Sequence, residues 1–236
     1  MKKRIALGFG NNVDYEIVWN TQTIEDLIVH YAIQYEDIKS NQPICNERDL
    51  VISILSFVQA GSGGEHTVSS NVLLEQFAQK FTKTMTLGGT PVRAAIAMCK
   101  LVYTAALHLV TMNDHVEQLL PEDCPYVCST AQPSLYPHVI VQFAQNTVIE
   151  VGDRMIHAAR ANRIIYHNDE DNRCMKLSED FAELINEARI LLVSGFNVIS
   201  DTALLATSLE VLEQHIAALP EDALLFYEDA GNYDPA

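Results

Sequence analysis

The sequence predicts an α/β fold: a mostly parallel sheet flanked by helices, with a small β-rich element set into it. Three observations carry this. Four short, nearly continuous apolar runs, at 5–10, 104–110, 190–194 and 223–227, have the pattern of strands buried on both faces. Stretches with helical spacing separate most of them, the alternation that goes with a parallel sheet. Between 121 and 168 that alternation stops. Pro121, Pro125, Pro133 and Pro137 fall close together there, and short β-prone runs replace helical periodicity.

Taken in order, 5–10 reads as a buried strand ending in glycines. Asn11-Asn12-Val13-Asp14 follows. A dinucleotide fingerprint needs a third glycine where Val13 stands, so Gly8-x-Gly10 supports that kind of nucleotide turn only weakly. Asn12 and Asp14 are either ligand-facing groups at the carboxyl end of a strand or ordinary turn formers. Residues 23–37 read as a helix with Ile24, Leu27, Ile28 and Tyr31 as its stripe and Thr21 or Thr23 as its cap. A connection over 40–45, with Pro43, leads to a second helix capped by Asn46, with Leu50, Val51, Ile54, Leu55 and Val58 inward. Gly61-Ser62-Gly63-Gly64-Glu65-His66 reads as the most flexible stretch, from which Glu65 either reaches into a cleft or sits in water.

A third helix, over 69–81, leads through a β-prone run at 82–87 to Gly88-Gly89-Thr90-Pro91. Two adjacent glycines let backbone N–H groups approach a ligand, and a helix from 94 to 101 points its partly positive end back at it. A plain tight turn is the other reading. After the 104–110 strand, ended by Met112-Asn113-Asp114, the β-rich segment has strands at 139–143, 147–151 and 163–167. Ser178 then caps a helix with Phe181, Leu184, Ile185 and Ala188 inward. The 190–194 strand ends in Gly195, and Asp201 caps a long helix with Leu204, Leu205, Leu209, Leu212 and Ile216 inward. The last strand, 223–227, carries Glu228-Asp229-Ala230-Gly231 at its carboxyl end. No helix follows to cover it, so an apolar face is expected to be exposed and the sequence looks cut short.

At 236 residues and 48% hydrophobic content, the chain can form one large domain or one domain with an insert. Its net charge of −16 argues against a general nucleic-acid or anionic-membrane surface, yet leaves room for a local basic site for phosphate. Cys45, Cys99, Cys124, Cys128 and Cys174 are odd in number and scattered, so they read as reduced and structural rather than as a disulfide or zinc framework. The basic start Met1-Lys2-Lys3-Arg4 is followed by too short an apolar run for a signal peptide, and no stretch is long enough to span a membrane. The expected setting is the cytoplasm; the oligomeric state is left open.

Four stretches together resemble the ADP-dependent glucokinases and phosphofructokinases of the ribokinase-like superfamily. Gly8 to Asp14 is similar to the family's Gly-x-Asn-x-Asn-Val-Asp opening. Gly64-Glu65 resembles its sugar-binding glutamate, and Gly88-Gly89 its Gly-Gly turn. Arg160-Ala161-Asn162-Arg163 resembles its Arg-Ala-Asn-Arg motif, with Ser194-Gly195 following at a strand end. The resemblance runs from the first strand to the last, and the chain resembles the first half or so of such a kinase, with lid segments at roughly 12–42 and 121–168. It implies that Asn12, Asp14, Glu65, Gly88, Gly89 and His138 bind the sugar, Asp14 by accepting two hydroxyls. Arg160 and Arg163 would hold the phosphates of ADP, and Glu228 would act through a Mg2+-bound water network. The sequence departs from the family pattern at Gly10, Phe226, Gln142 and Ala159, where the family has Asn, His, Glu and Pro.

The resemblance also implies a Gly-x-Gly-Asp motif whose aspartate takes the hydroxyl proton and whose amides face the moving phosphoryl group. None of the ten glycines forms it; Gly152-Asp153 lacks the earlier glycine. The expected activity is therefore phosphoryl transfer from ADP to glucose or fructose 6-phosphate by a complete kinase, with this chain alone inactive. The alternative is a non-catalytic sugar-binding or regulatory protein of the same fold.

Overall fold

The protein is described by a computed structural model covering residues 5–40 and 42–228. Met1-Lys2-Lys3-Arg4 and the Asp229-Ala230-Gly231 stretch named above lie outside the described residues. Strand β1 (Ile5–Gly8) is followed almost at once by β2 (Asn12–Ile17). Asn12 and Asp14 are thus strand residues, and the turn reading does not hold. Asn11, just before β2, binds the end of β5 instead: its Oδ1 accepts from the Val110 and Thr111 N–H groups at 2.8 and 3.2 Å, and its Nδ2 donates to the Thr111 carbonyl at 3.0 Å.

The helix expected over 23–37 is shorter. Helix α1 (Thr21–His30) is capped by Asn20, whose side chain accepts from the Thr23 N–H at 3.1 Å, rather than by Thr21 or Thr23. Ala32, at φ 47°, interrupts it before a separate 3-10 turn at Tyr35–Asp37. Helix α2 (Glu47–Ala60) is capped by Asn46 as expected and stops at Gly61, whose φ of 60° suits glycine. The glycine run then enters strand β3 (Gly64–Thr67), so Glu65 lies on a strand and not on a flexible loop. Helix α3 (Asn71–Ala78), strand β4 (Lys83–Gly88) and helix α4 (Thr90–Lys100) follow. α4 starts at Thr90 rather than 94, because Pro91 is accommodated in a first turn.

Strand β5 (Ala106–Leu109) leads to a short helix α5 (Asp114–Leu119) that periodicity did not reveal. Asn113 is its cap, accepting from the His115 and Val116 N–H groups at 3.0 and 3.1 Å. Then come β6 (Tyr126–Cys128), β7 (His138–Phe143), β8 (Val148–Val151), β9 (Arg154–His157) and β10 (Asn162–His167). The chain continues with α6 (Glu170–Arg173), α7 (Phe181–Ile185), β11 (Ile190–Val193), α8 (Thr202–Ile216) and β12 (Leu224–Tyr227).

These elements form two compact units. The first takes residues up to Val13, Leu87–Leu135 and the chain from Asp169 onward. Its sheet is parallel throughout, in the order β12-β11-β1-β5-β6. The core beside it includes Phe9, Val110, Phe181, Leu184, Leu191, Val193, Phe196 and Leu212. On α8, Ser208 and Leu212 are buried, whereas Leu209 is 37% exposed rather than inward. Leu224, Leu225, Phe226 and Tyr227 of β12 are each about half exposed, the uncovered apolar strand that the sequence implied.

His108 sits on β5 in this core with no exposed surface. Its ring packs edge-on against Phe9 and Phe181, at 4.7 and 5.5 Å. Its Nε2 accepts from the Ser178 N–H at 2.9 Å, so the neutral ring is the one that fits. Burial pushes its pKa down to about 4 from 6.5. Between those values the unfolded chain binds the extra proton and the folded chain does not. Stability from this residue is therefore complete above pH 6.5 and falls as pH drops towards 4, by about 3 kcal/mol in all. Thermal unfolding midpoints between pH 7 and 4.5 should fall more steeply for the wild type than for His108→Gln.

The second unit takes Asp14–Thr86 and Tyr136–Asn168. It therefore includes α2 and α3 beyond residue 42, while β6 pairs with β5 and stays with the first sheet. Its sheet has the order β3-β10-β7-β2-β4, with β10 antiparallel to β7 and parallel to β3, and β2 parallel to β7. β8 and β9 form a separate antiparallel pair. Side chains alternate across a strand, so Tyr15, Ile17, Val139, Val141, Ile164 and Tyr166 all point to one face and are buried. There the Tyr166 hydroxyl meets Ser53 Oγ of α2 at 2.9 Å. The other face carries the polar residues.

Candidate functional site

In the first unit, the expected residues Asn12, Gly88, Gly89 and Glu228 lie at strand ends. A Cβ on Gly88 would come within 2.6 Å of Asn12 Oδ1, so only glycine lets the buried Asn12 side chain lie there. Gly89 has φ 93°, and a Cβ there would come 2.7 Å from the Gly10 carbonyl. Helix α4 begins at the next residue, and the Arg93 N–H closes its first turn on the Gly89 carbonyl at 3.0 Å. The N–H groups of Thr90 and Val92 in that turn are the kind a helix leaves without intrahelical partners.

Beyond β11, Ser194 and Gly195 pack onto β1: the Phe9 N–H donates to the Ser194 carbonyl at 2.9 Å, and the Ser194 N–H donates to the Gly8 carbonyl at 2.7 Å. Glu228 follows β12, half-buried, its N–H donating to the Val193 carbonyl at 2.9 Å. Among the described residues no three His, Cys, Asp or Glu side chains group to hold a metal. A single carboxylate such as Glu228 suits Mg2+, which keeps most of its waters and takes phosphate oxygens as ligands.

In the second unit, the polar face of the sheet gathers three of the expected residues. Asp14, only 4% exposed, is directly beside His138 in the β2–β7 register. The His138 ring lies 5.1 Å from that of His167, and His167 Nε2 is 3.6 Å from Glu65 Oε1. Asp14, His138, His167 and Glu65 thus form a row across four strands. The sequence reading missed His167. The signal was the alternation Arg163, Ile165, His167 within β10, but a partner for it is set by register, not by local pattern.

Arg163 stands on the same face, opposite Gln142 of β7. Arg160, also exposed, lies just before β10. The glycine run supports both. A Cβ on Gly63 would collide with the Arg163 carbonyl and the Asn162 side chain. Asn162 Oδ1 accepts from the Arg163 N–H at 3.0 Å, and its Nδ2 donates to the Gly61 carbonyl at 3.5 Å. Arg48 and Arg154 are paired with Asp37 and Glu36, and Arg173 and Arg189 with Glu170 and Asp222. Among the described residues, the Arg160 and Arg163 guanidinium groups have no such acidic partner. In a chain of net charge −16 they are two exposed cations suited to an external anion.

No helix among the described residues is long and apolar enough to cross a membrane. Among curated proteins no relative matches the chain by sequence. Among solved structures, it is similar to a phosphofructokinase from Pyrococcus horikoshii OT3 with AMP, at a TM-score of 0.76 and 18% identity. It is also similar to a hypothetical ADP-dependent phosphofructokinase from the same organism, at 0.75 and 17%. A third similar structure is the last common ancestor of ADP-dependent phosphofructokinases from Methanosarcinales, at 0.69 and 12%. These alignments cover 98%, 99% and 97% of this chain but 58%, 59% and 54% of the others, so the chain spans little more than half their length. The likeness bears out the α/β fold with its mostly parallel sheet and flanking helices. The model of the "ADP-specific Phosphofructokinase/Glucokinase conserved region" matches residues 3–228. With nearly the whole chain inside that match, the protein belongs to the ADP-specific phosphofructokinase/glucokinase family.

Proposed function

We propose that this chain carries the sugar-binding residues and part of the phosphate-binding residues of an ADP-dependent sugar kinase, one that moves a phosphoryl group from ADP to glucose or fructose 6-phosphate. The observation that carries this is the row of Asp14, His138 and Glu65 on one sheet face. A buried carboxylate beside an imidazole accepts and donates hydrogen bonds in the alternating way that sugar hydroxyls need. Asn12 and the Gly88 and Gly89 amides are the sugar ligands we assign to the first unit. Residues at roughly 12–42 and 121–168 would be the lid segments of such a kinase.

Arg160 and Arg163 would hold the ADP phosphates, their planar forks matching phosphate oxygens. Glu228 would hold Mg2+ through water, and the ion would supply charge neutralisation at the phosphates. The setting would be sugar breakdown in the cytoplasm. Arg160→Ala should weaken ADP binding about tenfold, the worth of one charge-assisted hydrogen bond, and leave sugar affinity unchanged. Calorimetric titration of the wild type and of Arg160→Ala with each ligand tests this. Weakened sugar binding with unchanged ADP binding would mean that the Arg-Ala-Asn-Arg stretch has been misaligned.

A second reading is a non-catalytic sugar-binding or regulatory protein of the same fold. That reading expects heat with a sugar and none with ADP, whereas the kinase reading expects both ligands to bind.

A further inference from the structure

We propose that His167 is a positioning residue of the sugar site, holding Glu65 on one side and His138 on the other. The proposal rests on the sugar-binding reading above. β10 lies between β3 and β7, so a residue on it can touch neighbours on both. In register His167 pairs with Thr67, and Glu65 precedes Thr67 by one full repeat of the strand, on the same face. On the other side Tyr166 pairs with Val139, which brings His167 opposite His138.

The contacts follow this register. The two imidazole rings are 5.1 Å apart and inclined at 39°, and Nε2 of His167 is 3.6 Å from Glu65 Oε1. The His167 side chain is 18% exposed and that of Glu65 38%, so the histidine is the more enclosed partner. Glu65 stands on the edge strand β3, where a side chain with several rotatable bonds has wide freedom. A neighbouring imidazole narrows that freedom and aims the carboxylate. Packing on the second ring fixes the plane of His138. Residues chosen for hydroxyl contact are placed this way only if something behind them holds their rotamers.

The test is a calorimetric cycle on the whole chain, with glucose and with fructose 6-phosphate as probes. Glu65→Gln and His167→Phe should each weaken binding about tenfold, and the double variant should be no weaker than about tenfold, because the two act as one unit. His167→Gln, which keeps a donor beside Glu65, should lose only about threefold. A purely structural role would lower the unfolding temperature without this coupling. His167→Phe binding like the wild type, or losses that multiply to about a hundredfold, would overturn the proposal. Should His167→Phe fail to fold, the same cycle with His167→Gln reads the coupling. A folded wild type that gives no heat with either sugar removes the sugar-binding reading and this inference together. Wild-type binding with an indifferent His167 removes the inference alone.

Discussion

Asp14→Ala is expected to weaken sugar binding by at least about a hundredfold, the largest binding effect of any substitution in the second unit. The side chain is 4% exposed and lies beside His138, so its carboxylate has been taken out of bulk water and set among polar groups. If it accepts two sugar hydroxyls, each charge-assisted bond is worth about 1.5–3 kcal/mol, and losing both corresponds to two to four orders of magnitude, roughly. Asp14→Asn keeps the shape and one acceptor oxygen, so it should lose about tenfold. Calorimetry on both variants, with thermal unfolding to show that each is folded, decides this. An Asp14→Ala protein that binds sugar like the wild type would show that the residue is only a buried strand carboxylate.

Gly195→Ala should cost about 2–5 kcal/mol of stability, a large part of the roughly 5–15 kcal/mol that a domain has. Gly195 has φ 84°, where a side chain is strained, and its added Cβ would collide with the Phe9 carbonyl. Phe9 has no room to give. Its backbone is tied to Ser194 by a 2.9 Å bond, and its ring packs against His108, Phe181 and Phe196 at 4.7, 5.0 and 5.1 Å. Gly152 supplies the control. Its φ of 64° is similarly left-handed, but the nearest atom to an added Cβ is Gln34 Oε1 at 4.0 Å. Gly152→Ala should cost only about 1 kcal/mol. Urea unfolding of the two variants separates backbone strain from collision; equal midpoints would remove the packing argument for Gly195.

The parts of the fold that could be read from sequence are those governed by local periodicity. Leu50, Val51, Ile54, Leu55 and Val58 lie on one helical face and are all buried, and Asn46 and Asp201 cap the helices they precede. Parallel core strands announce themselves because both their faces are apolar, as in β1, β5 and β11. What local pattern does not contain is register and competition between neighbours. Asn20 captures the α1 cap from two nearby threonines, and Asn11 spends its side chain on the backbone of Val110 and Thr111, a hundred residues away. Gly61 to Gly64 has a loop's composition, yet it is ordered by the Arg163 carbonyl and Asn162, which come from a hundred residues away. The candidate site divides in the same way. Asp14, Glu65 and His138 could be picked out by resemblance, whereas His167 becomes visible only once β3, β10 and β7 are laid side by side.

The central claim is that sugar binds on the face formed by Asp14, His138, His167 and Glu65. The most direct measurement is two-dimensional NMR of the histidine imidazoles during addition of glucose or fructose 6-phosphate. His138 and His167 should shift saturably with one of the two sugars. His30, His115 and His215, which lie elsewhere in the chain, should not move, and neither shift should occur in Asp14→Ala. Imidazole signals that stay still at saturating concentrations of both sugars, or that move equally in Asp14→Ala, would contradict the account.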